Sequence, residues 1–386
     1  MKSAYIVGGL RSPIGKTNGV LKNLLPHKMA AILLNKLIDK YNINCGAIDK
    51  VILANAVGPG GNIARLSLLE AGWSFSIPGV TVDFQCGGGL EAVNLAAHHI
   101  VSGQCEMVIA GGVESTSMEP KRQYNKNDPR YKGEGVFYKR AQFSPESIGD
   151  PDMLESAENV ASNLNISRRE MDLWAIESHR RAAEASKQKL LKDVIVPLSV
   201  NGTVISYDES IRAGMSLKLA EKARSVVRKG GSITAVNACL THDGAAVILV
   251  ASKEALEKYG LKPSAKIIEA VDAGVDPNLS PLGVIAAVQK LIKKTNVKID
   301  DIDAFEVNEA FAVKVLAFIK EFNISPEKVN IWGGALAYGH PYGASGAIIL
   351  IHLLEILKKL NKRIGVAAIG VAGGQGAAMM IERCDA

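Results

Sequence analysis

The stretch VDFQCGGGLEAV, residues 82–93, joins a strand-like run to a helical pattern through one cysteine and three glycines. Beyond Cys86, apolar residues recur at helical spacing: Leu90, Val93, Ala97, Ile100 and Val101. A strand that leads directly into a helix is the repeating unit of α/β folds. The cysteine is therefore predicted to lie at or just before a helix N-terminus, where free N–H groups and the helix dipole favour a thiolate.

Strand-like and helix-like segments alternate on both sides of this stretch, which predicts an α/β protein. The pattern occurs twice. Ala4 and Ala265 begin similar strands, Gly112 and Gly373 lie at the ends of similar strands, and both pairs are 261 residues apart. An internal duplication explains this spacing better than two unrelated domains. In paired halves, a site often lies between matching loops.

Segment 119–235 interrupts the repeat. It opens with the polar run PKRQYNKNDPRYKGEG, which is rich in turn formers, and continues with amphipathic helical patterns. One of these begins at a capping box formed by Ser167 and Glu170. We therefore predict a first half over 1–118 plus 236–262, an inserted loop domain over 119–235, and a second half over 263–386.

Composition argues against several classes of function. The net charge of +6 is spread over 386 residues without a dense Lys/Arg block, so no nucleic-acid partner is expected. The five cysteines are scattered and form no CxxC or Cys/His cluster, so neither a metal site nor a disulfide framework is expected. The N-terminus resembles a first strand, and no apolar stretch is long enough to span a membrane. A cytoplasmic protein is expected.

Cys86 is a candidate nucleophile. A lone cysteine is more often a buried structural residue, but the strand, glycine and helix context favours the catalytic interpretation here. We expect the glycines that follow to let a substrate approach the backbone, and the backbone amides to hold an oxyanion.

A nucleophilic thiol needs a base or an electrostatic partner. Most lone histidines are structural, but His340 stands apart in the loop GGALAYGHPYGASG, just before a helix. This loop is the counterpart of the Cys86 loop in the second half, so a pseudo-twofold arrangement would make the two residues a pair. A third loop, VNEAFA, places Asn308 and Glu309 at a strand end, where they can orient water, hold neighbouring loops or simply start a helix.

These residues lie in blocks that occur together, and in the same order, in the thiolase family, which the chain resembles over nearly its whole length. The blocks are RSPIGK, CGGGLEAVNLAAHHIVSGQCEMVIAGGVESTS, SAENVASNLNISRREMD, HDGAA, NEAFA and GHPYGASG. A chance match to one glycine-rich motif is common, but chance matches to several in order are rare. The resemblance implies duplicated halves in αβαβα layers with an inserted loop domain. It also implies a homodimer or homotetramer, coenzyme A or acetyl-CoA as substrate, and no metal or permanently bound cofactor.

The resemblance also implies roles for individual residues. Cys86 is similar to the acylated nucleophile, and His340 to the histidine that activates it and helps to hold the thioester oxygen. Asn308 is similar to the residue that holds a water in the first oxyanion hole, and the amides of Cys86 and Ala372 are similar to the second hole. Positions similar to the family's coenzyme A and substrate contacts are Met153, Arg212, Ala235, Cys239 and Phe311.

The sequence departs from the family at one position of chemical importance. Thiolases carry a second catalytic cysteine in a C-terminal CxGGGxG block, and this chain reads GVAGGQG there, with Gly370 in place of the cysteine. The NEAF loop, where some relatives place that cysteine, contains none. The missing residue would remove a proton from acetyl-CoA or from the thiol of coenzyme A. A water, His340 or His242 is a possible substitute.

Three functions therefore remain open. The first is an acetyl-CoA C-acetyltransferase-like thiolase that forms or cleaves a 3-ketoacyl-CoA such as acetoacetyl-CoA, in fatty acid or lipid metabolism. The second is an acyl-CoA hydrolase, or a transferase to another acceptor, on the same scaffold; Gly370 supports it. The third is a non-catalytic protein that binds coenzyme A, and the intact Cys86 and His340 loops argue against it.

Overall fold

The computed structural model describes residues 2–384, which form two halves of the same topology with an insert between them. The elements before the insert are β1 (Ala4–Arg11), β2 (Gly15–Lys16), α1 (Pro26–Tyr41), β3 (Lys50–Ala54), α2 (Ile63–Glu70), β4 (Gly79–Val82), α3 (Gly88–Val101) and β5 (Met107–Ser115). The insert contains α4 (Met153–Asn163), α5 (Arg168–Lys187), β6 (Leu198–Val200), β7 (Thr203–Ile205) and α6 (Leu217–Ala220). The chain then returns to the first half in β8 (His242–Ser252) and α7 (Lys253–Tyr259).

The second half repeats this order without the insert. Its elements are β9 (Ala265–Gly274), α8 (Gly283–Thr295), β10 (Ala304–Val307), α9 (Ala312–Phe322), α10 (Ala335–Tyr338), α11 (Tyr342–Lys359), β11 (Ile364–Val371) and β12 (Gln375–Arg383). As Ala4 begins β1 and Ala265 begins β9, the spacing in the sequence corresponds to equivalent strands.

The strands pair in the same way in both halves. In the first half, β3 lies parallel to β4 and β5, and β8 lies antiparallel to β5 and β1. In the second half, β10 lies parallel to β11, and β12 lies antiparallel to β11 and β9. A parallel bridge between Phe305 and Val329 takes the place of the β3–β4 pairing. The α/β class and the duplication are confirmed.

The two halves join along the edges of β1 and β9, which pair antiparallel through Tyr5 with Lys266 and Ile6 with Ala265. The hydrogen-bonded path therefore runs through both halves, in the order β10-β11-β12-β9-β1-β8-β5-β3-β4. This pairing is short, so side-chain packing between the halves is the larger contact.

Three buried clusters establish the layers. The central cluster surrounds α3 and α11, which pack against each other between the sheets of the two halves. A second cluster lies under α1 and α2 on the outer face of the first half, and a third under α8 and α9 on the outer face of the second half. The order of layers is therefore αβαβα, as the resemblance implied.

The insert packs mainly on the second half, through contacts of α4 and α5 with α9. Both helices begin at a complete capping box: Asp152 with Glu155 in α4, and Ser167 with Glu170 in α5. The predicted box at Ser167 is therefore confirmed. The domain boundaries at 118, 235 and 262 stay a prediction. Among residues 2–384, no helix combines the length and the apolar character needed to cross a membrane.

Candidate active site

Cys86 lies in the tight turn Gln85–Gly87 that links β4 to α3, directly before the helix begins. The sequence prediction for its position is confirmed. Gln85 has a φ of 44°, which is uncommon for a residue other than glycine or asparagine. Its backbone N–H and its side-chain amide both donate to Asp83 Oδ1, at 2.8 and 2.9 Å, and these bonds hold the turn. Strained backbone of this kind clusters at functional sites.

The glycines after Cys86 serve packing between parts of the protein. A Cβ added at Gly88 would lie 2.6 Å from Ala54, and one at Gly89 would lie 2.7 Å from the carbonyl oxygen of Gly343 in α11. Reciprocally, a Cβ at Gly346 would lie 2.3 Å from the amide nitrogen of Leu90. The first turns of α3 and α11 therefore touch through backbone. These glycines therefore bring the Cys86 and His340 helices together, and the approach of a substrate to the backbone stays a prediction.

The Cys86 side chain is half-buried, and its pKa is raised to about 12, chiefly because a thiolate would lose solvation there. Lys314 opposes this shift because its ammonium group would stabilise a thiolate, whereas Glu114 adds to it. In the free protein the thiol is therefore protonated at neutral pH, and the loss of solvation outweighs the preference for a thiolate that was expected at the helix start. A nucleophilic Cys86 needs a proton acceptor or an electrostatic partner when the substrate binds.

His340 and Asn308 lie together. Asn308 Oδ1 accepts hydrogen bonds from the Ala310 N–H at 3.1 Å and from Lys314 Nζ at 2.9 Å. Because these donors identify the oxygen of the amide, the Asn308 Nδ2 group faces His340 Nδ1, at 3.2 Å. Ser345 Oγ lies 2.7 Å from the same ring nitrogen.

The Asn308 contact favours one tautomer of His340 at rest. With Asn308 donating to Nδ1, the ring hydrogen lies on Nε2. The residue is buried, and within residues 2–384 its Nε2 atom has no hydrogen-bond partner. Burial, followed by the nearby Lys314 and His242, lowers the pKa of His340 well below its ordinary value. A neutral imidazole with a free N–H donor suits a developing negative charge on a carbonyl oxygen.

Buried carboxyl groups hold the loops in place. Glu114, at the end of β5, accepts hydrogen bonds from Asn55 Nδ2 at 2.9 Å, from Ala56 N at 2.9 Å and from Gly343 N at 3.1 Å. It thus ties the first turn of α11 to the first half. Burial raises its pKa to about 7.

Glu309 is the buried carboxyl group that holds loops of the second half in place. It accepts from Trp174 Nε1 at 2.9 Å and from Ser178 Oγ at 2.5 Å, both on α5, and from Asn330 Nδ2 at 2.8 Å. Of the roles left open for Asn308 and Glu309, Glu309 holds neighbouring loops.

His242 holds the His340 loop and does not offer a free ring nitrogen. Its Nε2 lies 2.7 Å from Ser210 Oγ, and its Nδ1 lies 2.8 Å from the Leu240 carbonyl oxygen and 3.1 Å from the His340 backbone nitrogen. Burial lowers its pKa to about 4. The structure therefore disfavours His242 as the substitute base considered from the sequence.

Gly370 lies at the end of β11, and Ala372 lies in the turn that follows it, ahead of Gly373 and Gly374 with φ near 80°. A Cβ added at Gly370 would lie 3.4 Å from Cδ of Lys314, which is ordinary van der Waals contact. The stem of Lys314 therefore runs beside the position where the resemblance implies a cysteine.

Sequence reasoning missed Lys314. It follows Phe311 in the first turn of α9 and is only 1% exposed, between Val313 and Val315, which are also buried. The available signal was a lysine whose neighbours on both sides are apolar, in a helix that carries its other lysine, Lys320, at the exposed end. Buried lysines are rare because the ammonium group is costly to desolvate.

The residues predicted to contact coenzyme A have different positions. Cys239 lies beside the NEAF loop, where its N–H donates to the Ala310 carbonyl at 2.9 Å, and burial, followed by the nearby Cys86, raises the pKa of its thiol to about 12. Phe311 is buried and Met153 half-buried, and both pack in the outer cluster of the second half. Arg212 and Ala235 are exposed. The structure thus brings Cys239 to the thiol and leaves Arg212 and Ala235 at the surface.

Comparison with known proteins identifies the family. The model of the thiolase N-terminal domain matches residues 4–254, and the model of the thiolase C-terminal domain matches residues 261–383. The chain belongs to the thiolase family. Together the two family models match both halves of the chain, so the similarity to thiolases is not confined to the motif blocks.

Individual thiolase relatives agree. The chain is 40% identical to a protein of Staphylococcus haemolyticus named "Putative acetyl-CoA C-acetyltransferase VraB", over 99% of each chain. A protein of the same name from Staphylococcus aureus is also 40% identical, over 99% of this chain and 100% of that one. A crystal structure of the Bacillus anthracis acetyl-CoA acetyltransferase superposes with a TM-score of 0.94 at 34% identity, over 100% of this chain and 99% of that chain. The family and these relatives point to an acyltransferase.

Proposed function

We propose that this thiolase is an acetyl-CoA C-acetyltransferase-like enzyme that carries an acyl group on Cys86 and forms or cleaves a 3-ketoacyl-CoA such as acetoacetyl-CoA. The observation that carries the proposal is the meeting of the first turns of α3 and α11. It places a half-buried thiol at one helix start and, at the other, a buried histidine whose Nε2 has no partner within residues 2–384. The names of the relatives support acetyl-CoA as the acyl donor.

In the first half-reaction, the Cys86 sulfur attacks the thioester carbonyl carbon of an acyl-CoA. A new S–C bond forms, the bond to the coenzyme A sulfur breaks, and the proton of Cys86 passes to the departing sulfur. The Nε2–H of His340 is suited to hold the thioester oxygen while charge develops there, and the Asn308 amide fixes the ring. Activation of Cys86 by His340 would use the other tautomer, in which Nδ1–H donates to Ser345.

The acyl-enzyme then needs a second oxyanion hole. We propose the backbone amides of Cys86 and Ala372 for it, because the turn after β11 carries Ala372 close behind Gly370. Met153, Ala235, Cys239 and Phe311 are proposed to line the path of the pantetheine arm. The exposed Arg212 is proposed to meet a phosphate of coenzyme A, which is an interaction guanidinium groups favour.

Other features of the proposal concern the setting of the enzyme. We propose that it acts as a homodimer or homotetramer in the cytoplasm, in fatty acid or lipid metabolism, without a permanently bound cofactor. Within residues 2–384, no group of three or more histidine, cysteine, aspartate or glutamate residues is arranged to hold a metal ion.

A second candidate function rests on Gly370. Without a base to remove the α-proton of acetyl-CoA, the acyl group on Cys86 would be open to attack by water or by another acceptor. Such a protein would hydrolyse acyl-CoA or transfer its acyl group elsewhere. The same site would serve the first half-reaction in both cases.

One experiment separates these functions. The protein is incubated with acetyl-CoA or acetoacetyl-CoA, with and without free coenzyme A, and covalent mass and products are followed. The proposal predicts an acetyl adduct on Cys86 that is transferred to coenzyme A. An adduct that yields free acetate and no transfer would support the hydrolase. Absence of any adduct would overturn both enzymatic functions and favour a protein that only binds coenzyme A.

A further inference from the structure

C–C bond formation requires a proton acceptor, and Gly370, His242 and His340 do not provide one. To become a nucleophile, the methyl carbon of acetyl-CoA must lose a proton, and in the reverse direction that carbon must regain one. Gly370 has no side chain for this task, and both ring nitrogens of His242 have partners. His340 carries its ring hydrogen on the nitrogen that would face the substrate, so at rest it is a donor there.

Resting on the proposed function, we propose that the amine of Lys314 is the general base of the second half-reaction, in the place that Gly370 leaves open. Three observations support its position. The Lys314 stem passes Gly370, with Cδ at 3.4 Å from where a Cβ of residue 370 would lie. Nζ reaches Asn308 Oδ1 at 2.9 Å, so it lies one side chain away from the His340 ring. Nζ also lies near Cys86 and Cys239, whose thiolate forms would raise the pKa of Lys314.

The surroundings of Lys314 favour an amine that can gain and lose a proton. The described residues offer it no ion pair, and its side chain makes one hydrogen bond, to Asn308. Burial lowers its pKa to about 8, while the thiols of Cys86 and Cys239 and the carboxyl of Glu309 act in the opposite direction. A lysine that is neutral part of the time near physiological pH meets the requirement for a general base.

The proton and electron balance closes within the site. Lys314 takes a proton from the methyl group of acetyl-CoA, and the carbanion attacks the carbonyl of the acyl group on Cys86. A C–C bond forms, the bond from that carbonyl to the Cys86 sulfur breaks, and the thiolate receives the proton back from the Lys314 ammonium. In the cleavage direction, Lys314 takes the proton of the Cys86 thiol, and the sulfur attacks the ketone carbonyl. The C–C bond breaks, and the Lys314 ammonium returns the proton to the methyl carbon of the departing acetyl-CoA.

The direct test is exchange of the methyl protons of acetyl-CoA for deuterium in D2O, measured by NMR beside the acetyl adduct on Cys86 measured by mass. Lys314→Gln keeps a donor for Asn308, and Lys314→Arg keeps a donor and a charge, but neither can act as a base. Both variants are expected to acylate Cys86 and to lose exchange by about 10²–10⁴-fold. Lys320→Gln, on the exposed side of the same helix, is the matched control.

Two further measurements separate a base from a structural residue. In the wild type, exchange is expected to rise with pH and to level off above about 8, as the ammonium form is lost. This rise should vanish in Lys314→Gln. The other titratable groups near Lys314 are Cys86, Cys239, Glu309 and His340. Adding Gly370→Cys to Lys314→Gln should restore exchange, because a Cβ fits at that position.

The outcomes are distinct. Exchange that persists in Lys314→Arg or Lys314→Gln would overturn the assignment, as would a wild type that forms the adduct without exchange. Loss of the adduct in both variants would also overturn it, because Lys314 would then act in the first step. If the wild type forms no adduct but its exchange depends on Lys314, the proposed function is refuted and the assignment of Lys314 as the general base stands. Absence of both adduct and exchange would refute both.

Discussion

The helices α3 and α11 occupy equivalent places in the two halves, but their N-terminal ends are held in opposite ways. At α3, Cys86 is half-buried, and the turn before it is strained at Gln85. At α11, His340 is buried, its ring is bound by Asn308 and Ser345, and its backbone is bound by His242. A nucleophile must be reachable, whereas a group that holds an oxyanion must be fixed before the charge appears. The duplicated scaffold supplies both requirements by giving each copy different surroundings.

The largest effect is expected from removing the nucleophile, Cys86. Cys86→Ala should abolish the acetyl adduct and acyl transfer, because it removes the thiol at the start of α3 that is proposed to carry the acyl group. Intact-mass spectrometry after incubation with acetyl-CoA measures this. Cys45→Ala, in a half-buried turn of the first half, is the control and should acylate normally. An adduct that persists in Cys86→Ala would place the acyl group elsewhere, with Cys239 as the first site to examine.

Substitution of His340 should have the next largest effect. His340→Ala removes the Nε2–H donor, so the rate of acyl transfer should fall by about 10²–10⁴-fold. The rate of coenzyme A release in a single turnover measures the first half-reaction. His98→Ala, at the exposed end of α3, serves as the control. If His340→Ala acylates at the wild-type rate, the fixed imidazole has no part in the first half-reaction.

Glu114, which ties the first turn of α11 to the first half, is predicted to make the free energy of unfolding depend on pH. Its pKa is raised by burial from 4.5 to about 7, so the folded state binds more protons than the unfolded state between these values. The free energy of unfolding should therefore fall as pH rises through this window, by about 1.4 kcal/mol for each unit of raised pKa. Chemical denaturation across the window should show a flatter dependence for Glu114→Gln. Glu254→Gln, an exposed glutamate, should keep the wild-type slope, and a wild-type slope in Glu114→Gln would contradict the role assigned to Glu114.

The smallest effect is expected from the helix contact itself. Gly89→Ala and Gly346→Ala each place a Cβ within 2.7 Å of the other helix, so each should lower the free energy of unfolding by about 1–3 kcal/mol. Gly214→Ala meets no atom within 4 Å and should be neutral. Thermal or chemical denaturation compares the three. Equal stability of all three variants would mean that the helices can separate without cost.

Sequence patterns predicted much of this site because its loops are marked by residues with few ordinary uses. A cysteine before three glycines and a histidine between glycines stand out, and both were placed correctly at helix starts. Lys314 was missed because an isolated lysine in a helix normally indicates a solvated face. Its burial depends on strands and helices far away in sequence, including the end of β11 at Gly370. The join between β1 and β9 was missed for a similar reason, since strand pairing between halves leaves no local pattern.

Above all, the site should complete acyl transfer through Cys86 despite the glycine at position 370. The most direct measurement is the thiolysis of acetoacetyl-CoA by coenzyme A, with the products separated and the acetyl adduct on Cys86 followed by mass in the same reaction. We expect the adduct to form first and its acetyl group then to appear as acetyl-CoA. Release of that acetyl group as free acetate, or no consumption of acetoacetyl-CoA, would contradict it.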